Sequence, residues 1–311
     1  MGNFKCQICN NEIDNRNYLI REMMFGLREQ FTYFQCAQCG CLQIAEIPND
    51  LLKYYPTDYY SFSDIKPKGI FEVFKDLIKI QIIKFRLGKK NPLGYICTLF
   101  FNNYYWIFKG LCTYDSKILD IGCGNGERLL GLYKLGFKKL KGLDPFILQD
   151  IHYENGVIVL KKDISDLDEK FDFIMLHHSF EHIQVPKMTL QKIYNCLNPK
   201  SYVLIRIPIA SSYAFRKYGI NWVQIDAPRH LFLHTSSSIE ILAKEIGFKL
   251  VKTIYDSNSF QFTGSERYEN NVGLFEPYYF SKKQIKLFSK EALHLNNIND
   301  GDSACFYLYK E

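Results

Sequence analysis

Four cysteines stand in two C-x-x-C pairs, Cys6 with Cys9 and Cys36 with Cys39. Two such pairs can bring four thiolates to the corners of a tetrahedron, the geometry Zn²⁺ prefers, with Zn–S near ~2.3 Å. Each pair is followed by a residue that tolerates positive φ, Asn10 and Gly40, as a tight knuckle requires. Four protein ligands leave no open position, so an ion held there is structural. Cys41 adjoins the second pair and could compete for the fourth place. The other five cysteines, Cys97, Cys112, Cys123, Cys196 and Cys305, are scattered among apolar residues and read as buried thiols. The chain does not open on a basic segment followed by an apolar run, so a disulfide framework is not expected.

A second chemistry lies in Ile118–Glu127, ILDIGCGNGE. An apolar run ends at Asp120, and Gly122, Gly124 and Gly126 lead into a helical pattern. Glycine is needed where the backbone turns sharply and a ligand must come close to it. The spacing departs from the dinucleotide pattern G-x-G-x-x-G, because the third glycine comes one position early and Glu127 follows it. A carboxylate at the start of a helix repels pyrophosphate. Asp120 suits a ligand bearing an ammonium group. Asp144 ends the next strand, where a carboxylate can accept hydrogen bonds from both ribose hydroxyls. Asp163 follows the third strand and is placed to meet an adenine amino group. An adenosine with a cationic amino-acid tail is S-adenosylmethionine.

A third group follows the fourth strand: His177, His178, Glu181 and His182. His178-x-x-Glu181-His182 matches the inverted zincin pattern, but the segment begins at a strand terminus and not inside a long helix. His177 is placed to face the methionine tail or the substrate, and His182 suits a turn closing the pocket. Farther along, Trp222 and Asp226-Ala227-Pro228-Arg229-His230-Leu231 form a further polar loop. His230 is the first candidate for a general base near neutral pH and His178 the second. Arg229 could pair with a phosphate or carboxylate of the substrate, or lock its own loop.

These groups need a frame. Strand-like runs occur at Lys117–Ile121, Lys139–Leu143, Val157–Leu160, Phe171–Leu176, Tyr202–Ile207 and Phe248–Tyr255, with a last one at Ala304–Tyr309. Between them lie helical patterns at Glu127–Leu135, stopped by Gly136, and at 187–197. A third opens on a capping box at Ser237–Glu240 and stops at Gly247. Alternating strands and helices predict an α/β fold with a mainly parallel sheet, its ligand beyond the carboxyl ends of the strands. The last strand is expected antiparallel beside the fifth and sixth. Three regions are expected: 1–48, a zinc ribbon; 49–114, a Tyr-rich and helical linker or lid; and 115–311, the α/β domain with a C-terminal elaboration that binds substrate. Residues 256–303 read as irregular.

Residues 118–207 resemble the core of class I S-adenosylmethionine-dependent methyltransferases, with a Rossmann-like sheet. The resemblance implies that Asp120, Gly122 and Gly124 line the methionine part, that Asp144 holds the ribose, and that Asp163 and Ile164 flank the adenine. It implies a loop after strand four that faces cofactor and substrate, which is where His177 falls. That loop lacks the Asp/Asn-Pro-Pro-aromatic sequence of enzymes that methylate exocyclic base amines. The paired C-x-x-C, Tyr54-Tyr55-Pro56-Thr57-Asp58-Tyr59-Tyr60, Trp222, Asp226–Leu231 and Asn299–Ala304 resemble zinc-ribbon methyltransferases of bacterial capsule, lipopolysaccharide and deoxysugar biosynthesis. That resemblance implies methylation of a hydroxyl or carbon of a nucleotide sugar or surface-glycan sugar, with Arg229 and Trp222 at the substrate.

Charge bounds the partners. Thirty-nine basic against thirty-three acidic residues give +6, which fits anionic substrates such as nucleotides but not a DNA binder, and disfavours RNA. Two rivals stand beside the sugar reading: an RNA methyltransferase with a zinc-ribbon RNA-binding domain, and a non-catalytic S-adenosylmethionine-binding protein. Ile70–Leu87 and Leu93–Leu111 mix apolar and basic residues. They read as helices packed on the core over the active site, or as a membrane-surface element; neither is long and clean enough to span a bilayer. A cytoplasmic protein is expected, with contact at the inner membrane face as its only link to lipid.

Overall fold

The computed structural model describes residues 4–55, 70–101 and 104–311, so the Tyr-Pro-x-x-Tyr-Tyr expectation lies outside them beyond Tyr55. In chain order the first elements are β1 (Arg16–Arg21), β2 (Gln30–Gln35), β3 (Leu42–Ile44), α1 (Ile70–Arg86), α2 (Pro92–Phe100), β4 (Ile118–Ile121) and α3 (Glu127–Lys134). Then come β5 (Leu140–Leu143), β6 (Ile151–His152), β7 (Ile158–Leu160), β8 (Phe171–His177), α4 (Pro186–Cys196) and β9 (Leu197–Pro208). The last are α5 (Tyr213–Tyr218), β10 (Phe232–Leu233), α6 (Ser236–Ile246), β11 (Lys249–Tyr255), α7 (Phe260–Glu269), α8 (Lys282–Asn297) and β12 (Ser303–Lys310).

Two compact units interleave along the chain. One comprises Met1–Pro56, His178–Leu190 and Ile205–Phe306; the other comprises Thr57–His177, Gln191–Leu204 and Tyr307–Glu311. These units divide the chain at other places than 48 and 114, and the cysteine-bearing ribbon takes in residues far along the chain. Its strands run β1-β2-β3-β10, so residues 232–233 complete a sheet begun in the first 44 residues.

In the second unit the sheet order is β9-β8-β4-β5-β7-β6. β4 is parallel to β5 and to β8, β5 is parallel to β7, and β6 turns back antiparallel on β7. Leaving β4, the chain goes to β5 on one side and later to β8 on the other, so the reversal of strand order falls at β4. The carboxyl end of β4 is where such sheets place a ligand. Apart from Asp120, Asp172 and His177, β4 and β8 are apolar because both faces are covered: Ile118, Leu119, Phe173, Ile174, Met175 and Leu176 are buried.

In the first unit β12 lies between β11 and β9, the place expected for the last strand. Two expectations are corrected here. α6 begins earlier than Ser237: Thr235 is the cap, its hydroxyl accepting from the Ser238 N–H at 3.0 Å while the Ser238 hydroxyl accepts from the Thr235 N–H at 2.9 Å. Residues 256–303 are not irregular but carry α7 and α8, the latter opened by a Ser281–Gln284 capping box. The polar outer face of α8 hid its period, since within it only Ala292 and Leu295 are buried.

Candidate active site

The glycine turn of the second unit connects β4 to α3. Gly122, Gly124 and Gly126 have φ of +71°, +56° and +83°, a region costly for residues with a Cβ. At Gly126 there is also no room, since a Cβ would lie 2.7 Å from Val159 Cγ2. The turn is tied to the next strand by the Gly122 N–H, donated to the Leu143 carbonyl at 2.8 Å. Asp144 closes it, one carboxylate oxygen accepting from the Gly124 N–H at 2.8 Å and the other from the Phe146 N–H at 2.9 Å. Each oxygen keeps a further lone pair for a ligand hydroxyl. Burial raises Asp144 above the usual carboxylate range, against the pull of these N–H groups.

Asp120 is buried, and that burial pushes its pKa up to about 7; Arg128, 3.9 Å away, opposes the rise and Asp144 adds to it. A buried carboxylate so poorly compensated suits a ligand that brings its own positive charge. Asp163 caps a single turn by accepting from the Ser165 N–H at 2.8 Å, leaving its carboxylate exposed and Ile164 buried beside it. His177 ends β8, edge-on to Trp106 at 5.2 Å between ring centroids. The turn therefore offers N–H groups, two buried acids, and a third acid one strand over.

In the first unit the Sγ atoms of Cys6, Cys9, Cys36 and Cys39 all lie within 4.8 Å of one another. Cys6 to Cys39 is 3.6 Å and Cys9 to Cys36 is 3.4 Å. Thiolates around one Zn²⁺ at ~2.3 Å would be about 3.8 Å apart, so the group fits a tetrahedral ion. The two knuckles share one pattern. The N–H of residue four after the first cysteine returns to its carbonyl, Asn10 to Cys6 and Gly40 to Cys36, each at 2.9 Å. Asn10 and Gly40 have φ of +64° and +72°. N–H groups also point at sulfur, from Ile8 and the Gln43 amide to Cys6 and from Cys39 to Cys36, which favours the thiolate. Cys41 is outside the group: its Sγ lies 4.0 Å from His234 Nδ1, in a fully buried place that pushes the thiol well up.

The same unit gathers the histidines. His178 has φ +54°, a strained value of the kind found at functional loops. Its Nε2 accepts from Arg206 Nη1 at 2.6 Å, so its proton is on Nδ1, 3.5 Å from a Glu181 oxygen. His182 Nδ1 donates to the Arg229 carbonyl at 2.9 Å, and His230 Nδ1 donates to the Gln224 carbonyl at 2.7 Å. Both rings therefore keep the lone pair on Nε2. That of His230 lies 4.0 Å from Glu181 and 3.8 Å from Asp226. Glu181 is fully buried and neither of its oxygens has a hydrogen-bond partner. Burial opposes its charge, but His178, His182 and His230 hold the carboxyl down to about 2. Burial and the neighbouring His230 lower His182 to about 4. Glu181, His182 and His230 each place a ligand atom within 4.8 Å of the others, a spacing that a shared cation or a proton could bridge.

Two expected substrate residues move to the scaffold. Arg229 is fully buried, and its guanidinium is spent on Asp226 at 2.5 and 2.9 Å, Glu22 at 3.1 Å and the Tyr54 carbonyl at 3.2 Å. Trp222 is equally buried, its indole N–H donating to Asp302 at 3.0 Å. Neither has a polar face left for a ligand. Arg229→Ala is expected to cost about 3–5 kcal/mol by urea unfolding, because Glu22 and Asp226 would be left buried and unpaired. A loss under about 1 kcal/mol would show that the cage adds no stability. His178 lies in the same cluster, but its Nε2 lone pair is committed to Arg206. Nothing local in the sequence points to Glu22 or Asp302, whose partners Arg229 and Trp222 lie 207 and 80 positions away. Glu181 carried a signal, three residues after His178, which had been read as turn geometry.

A methyltransferase-domain family model matches residues 88–253. That is just over half of the chain, which belongs to this family and carries an S-adenosylmethionine-dependent methyltransferase domain. The malonyl-[acyl-carrier protein] O-methyltransferase of Calditerrivibrio nitroreducens is 31% identical over 98 residues, 30% of this chain and 38% of that protein. The tRNA U34 carboxymethyltransferase of Cellvibrio japonicus is 33% identical over 105 residues, 29% of this chain and 32% of that protein. The chain thus spans well under half the length of these relatives. Among solved structures, a SAM-dependent methyltransferase from Archaeoglobus fulgidus covers 78% of this chain and 100% of its own at 19% identity and a TM-score of 0.40.

Proposed function

We propose that the protein transfers a methyl group from S-adenosylmethionine to a hydroxyl of a sugar, either a nucleotide sugar or a surface-glycan unit, with His230 taking the acceptor's proton. The four cysteines hold a structural Zn²⁺. The observation that supports the catalytic half is the His230 Nε2 lone pair, fixed by the Gln224 carbonyl and 4.0 Å from the buried Glu181 carboxylate. The sugar rests on the resemblance of the flanking motifs. A sugar carbon made acidic by a neighbouring carbonyl would use the same base.

When bound, S-adenosylmethionine supplies a methyl group whose bond to sulfur breaks as a bond to the acceptor oxygen forms. The hydroxyl proton passes to His230 Nε2. The imidazolium so formed is paired with Glu181 and Asp226, which favour the charged ring. Asp120 meets the ammonium of the methionine part, Asp144 the ribose, and Asp163 with Ile164 the adenine. His177 borders the methionine end.

His230→Asn is expected to lower kcat by about 10²–10⁴-fold and to leave cofactor affinity unchanged. In Glu181→Gln the imidazolium loses a buried counter-charge, so kcat should fall about tenfold or more across the whole pH profile. An unchanged profile would remove Glu181 from the reaction. Labelled methyl appearing in transfer RNA and not in nucleotide sugars would replace the sugar reading with the RNA one, as the tRNA-acting relative suggests. Binding without transfer to any acceptor would leave a non-catalytic cofactor binder.

A further inference from the structure

The segment from Leu77 to Tyr114 contains no aspartate or glutamate. It carries Lys79, Lys84, Arg86, Lys89, Lys90 and Lys109, six cations that by themselves equal the +6 of the whole chain. α2 lies within this stretch and packs on α1 through one narrow face. Gly94 makes that approach possible, since a Cβ there would lie 2.2 Å from the Gln81 carbonyl oxygen. Asn91 fixes the start of the helix, accepting from the Gly94 N–H and donating to Gln81.

The outer face of α2 is apolar without interruption. Leu93, Tyr95, Ile96, Leu99 and Phe100 are 58%, 51%, 50%, 64% and 76% exposed, and Phe101 beyond the helix end is 44% exposed. A soluble surface rarely leaves so many large apolar side chains together without a use. Cations flank the patch at its N-terminal side: Lys89 and Lys90 stand three and two positions before the first residue of the helix, and the Lys109 stem lies against Gly88. Among the described residues no helix is long and apolar enough to cross a membrane. An apolar face bordered by cations, with no acidic residue between Leu77 and Tyr114 and the preceding one, Asp76, paired with Lys79, is the complement of an anionic bilayer.

We propose that α2 docks the protein on anionic membrane surfaces, its Leu99–Phe100 end entering the acyl boundary and Lys89, Lys90 and Lys109 lying at the headgroups. This surface is independent of how the methyl group is used.

The test is co-sedimentation of the zinc-loaded full chain with vesicles of pure phosphatidylcholine or of phosphatidylcholine with one third phosphatidylglycerol. Binding is expected only to the anionic vesicles and to weaken about tenfold or more in Leu99→Ser/Phe100→Ser. Lys89→Gln/Lys90→Gln should weaken it severalfold and flatten its salt dependence. Both variants alter exposed side chains, and an unchanged S-adenosylmethionine affinity confirms that they fold. No binding to anionic vesicles overturns the proposal. So does a dimer of the native chain that Leu99→Ser/Phe100→Ser converts to monomer without any vesicle binding, which would assign the face to a second copy.

Discussion

Asp144→Ala is expected to bind S-adenosylmethionine at least about a hundredfold more weakly than the native chain, because two hydrogen bonds to a charged acceptor are lost at once. The variant also frees the Gly124 N–H, which now donates to Asp144 at 2.8 Å, so the glycine turn loses its anchor together with the ribose contact. Asp163→Ala, on an exposed carboxylate, should cost about tenfold or less. Calorimetry checks both, and native-like affinity in Asp144→Ala would remove the proposed cofactor pose. The same titration reads Asp120. Its pKa is raised to about 7 by burial, so the ligand-free protein holds a proton there that the cationic methionine tail must expel. Affinity should fall as pH drops below about 7, and binding at pH 6 should release a proton that binding at pH 8.5 does not. The sign for stability is the opposite. A carboxyl raised above its unfolded value favours the ligand-free fold at low pH, and that contribution is lost as pH rises through about 7. Asp120→Asn should therefore stabilise the ligand-free protein at pH 8 while weakening cofactor binding.

Removal of the zinc ion is expected to disable His230 before it disturbs the cofactor. The cysteine knuckles and the loop that carries His230 are joined through one sheet. β3 pairs with β10, the Ile44 N–H donates to the Leu231 carbonyl at 3.0 Å, and the Tyr33 hydroxyl donates to the His230 carbonyl at 2.9 Å. The Thr235 hydroxyl donates to the carbonyl of Cys39 itself at 2.6 Å. A structural zinc contributes about 10–16 kcal/mol to folding in small zinc peptides, far more than these hydrogen bonds could replace. Chelation, or Cys36→Ser, should lower Tm by ~10 °C or more and reduce turnover about a hundredfold, the cost of misplacing a reacting group by ~1 Å. Hydrogen exchange should rise across residues 226–235. S-adenosylmethionine affinity, set by residues of the other unit, should change less than about threefold. Unaltered exchange in 226–235 after complete metal removal would show that the ribbon does not hold this loop.

Local pattern alone determined much of this molecule. The β4–α3 turn was legible because close backbone approach admits only glycine, and the acids at the ends of β4 and β5 because period-two apolar runs mark where strands stop. The knuckles were legible because a metal demands fixed ligand types at fixed spacing. The roles of Arg229 and Trp222 were not, because whether a polar side chain meets a ligand or the protein depends on partners distant in the chain. Glu22 and Asp302 supplied those partners. α8 escaped because a helix that buries only Ala292 and Leu295 writes a weak period, and α7 because it buries Gln261, Gly264 and Ser265 beside Phe262 and Tyr268, which blurs an apolar face. The union of the ribbon with Phe232–Leu233 was invisible for a related reason: a two-residue strand has no pattern, and only its pairing with β3 makes it one. The tautomers of His178, His182 and His230 were decided by which carbonyl or guanidinium each ring met in the folded chain.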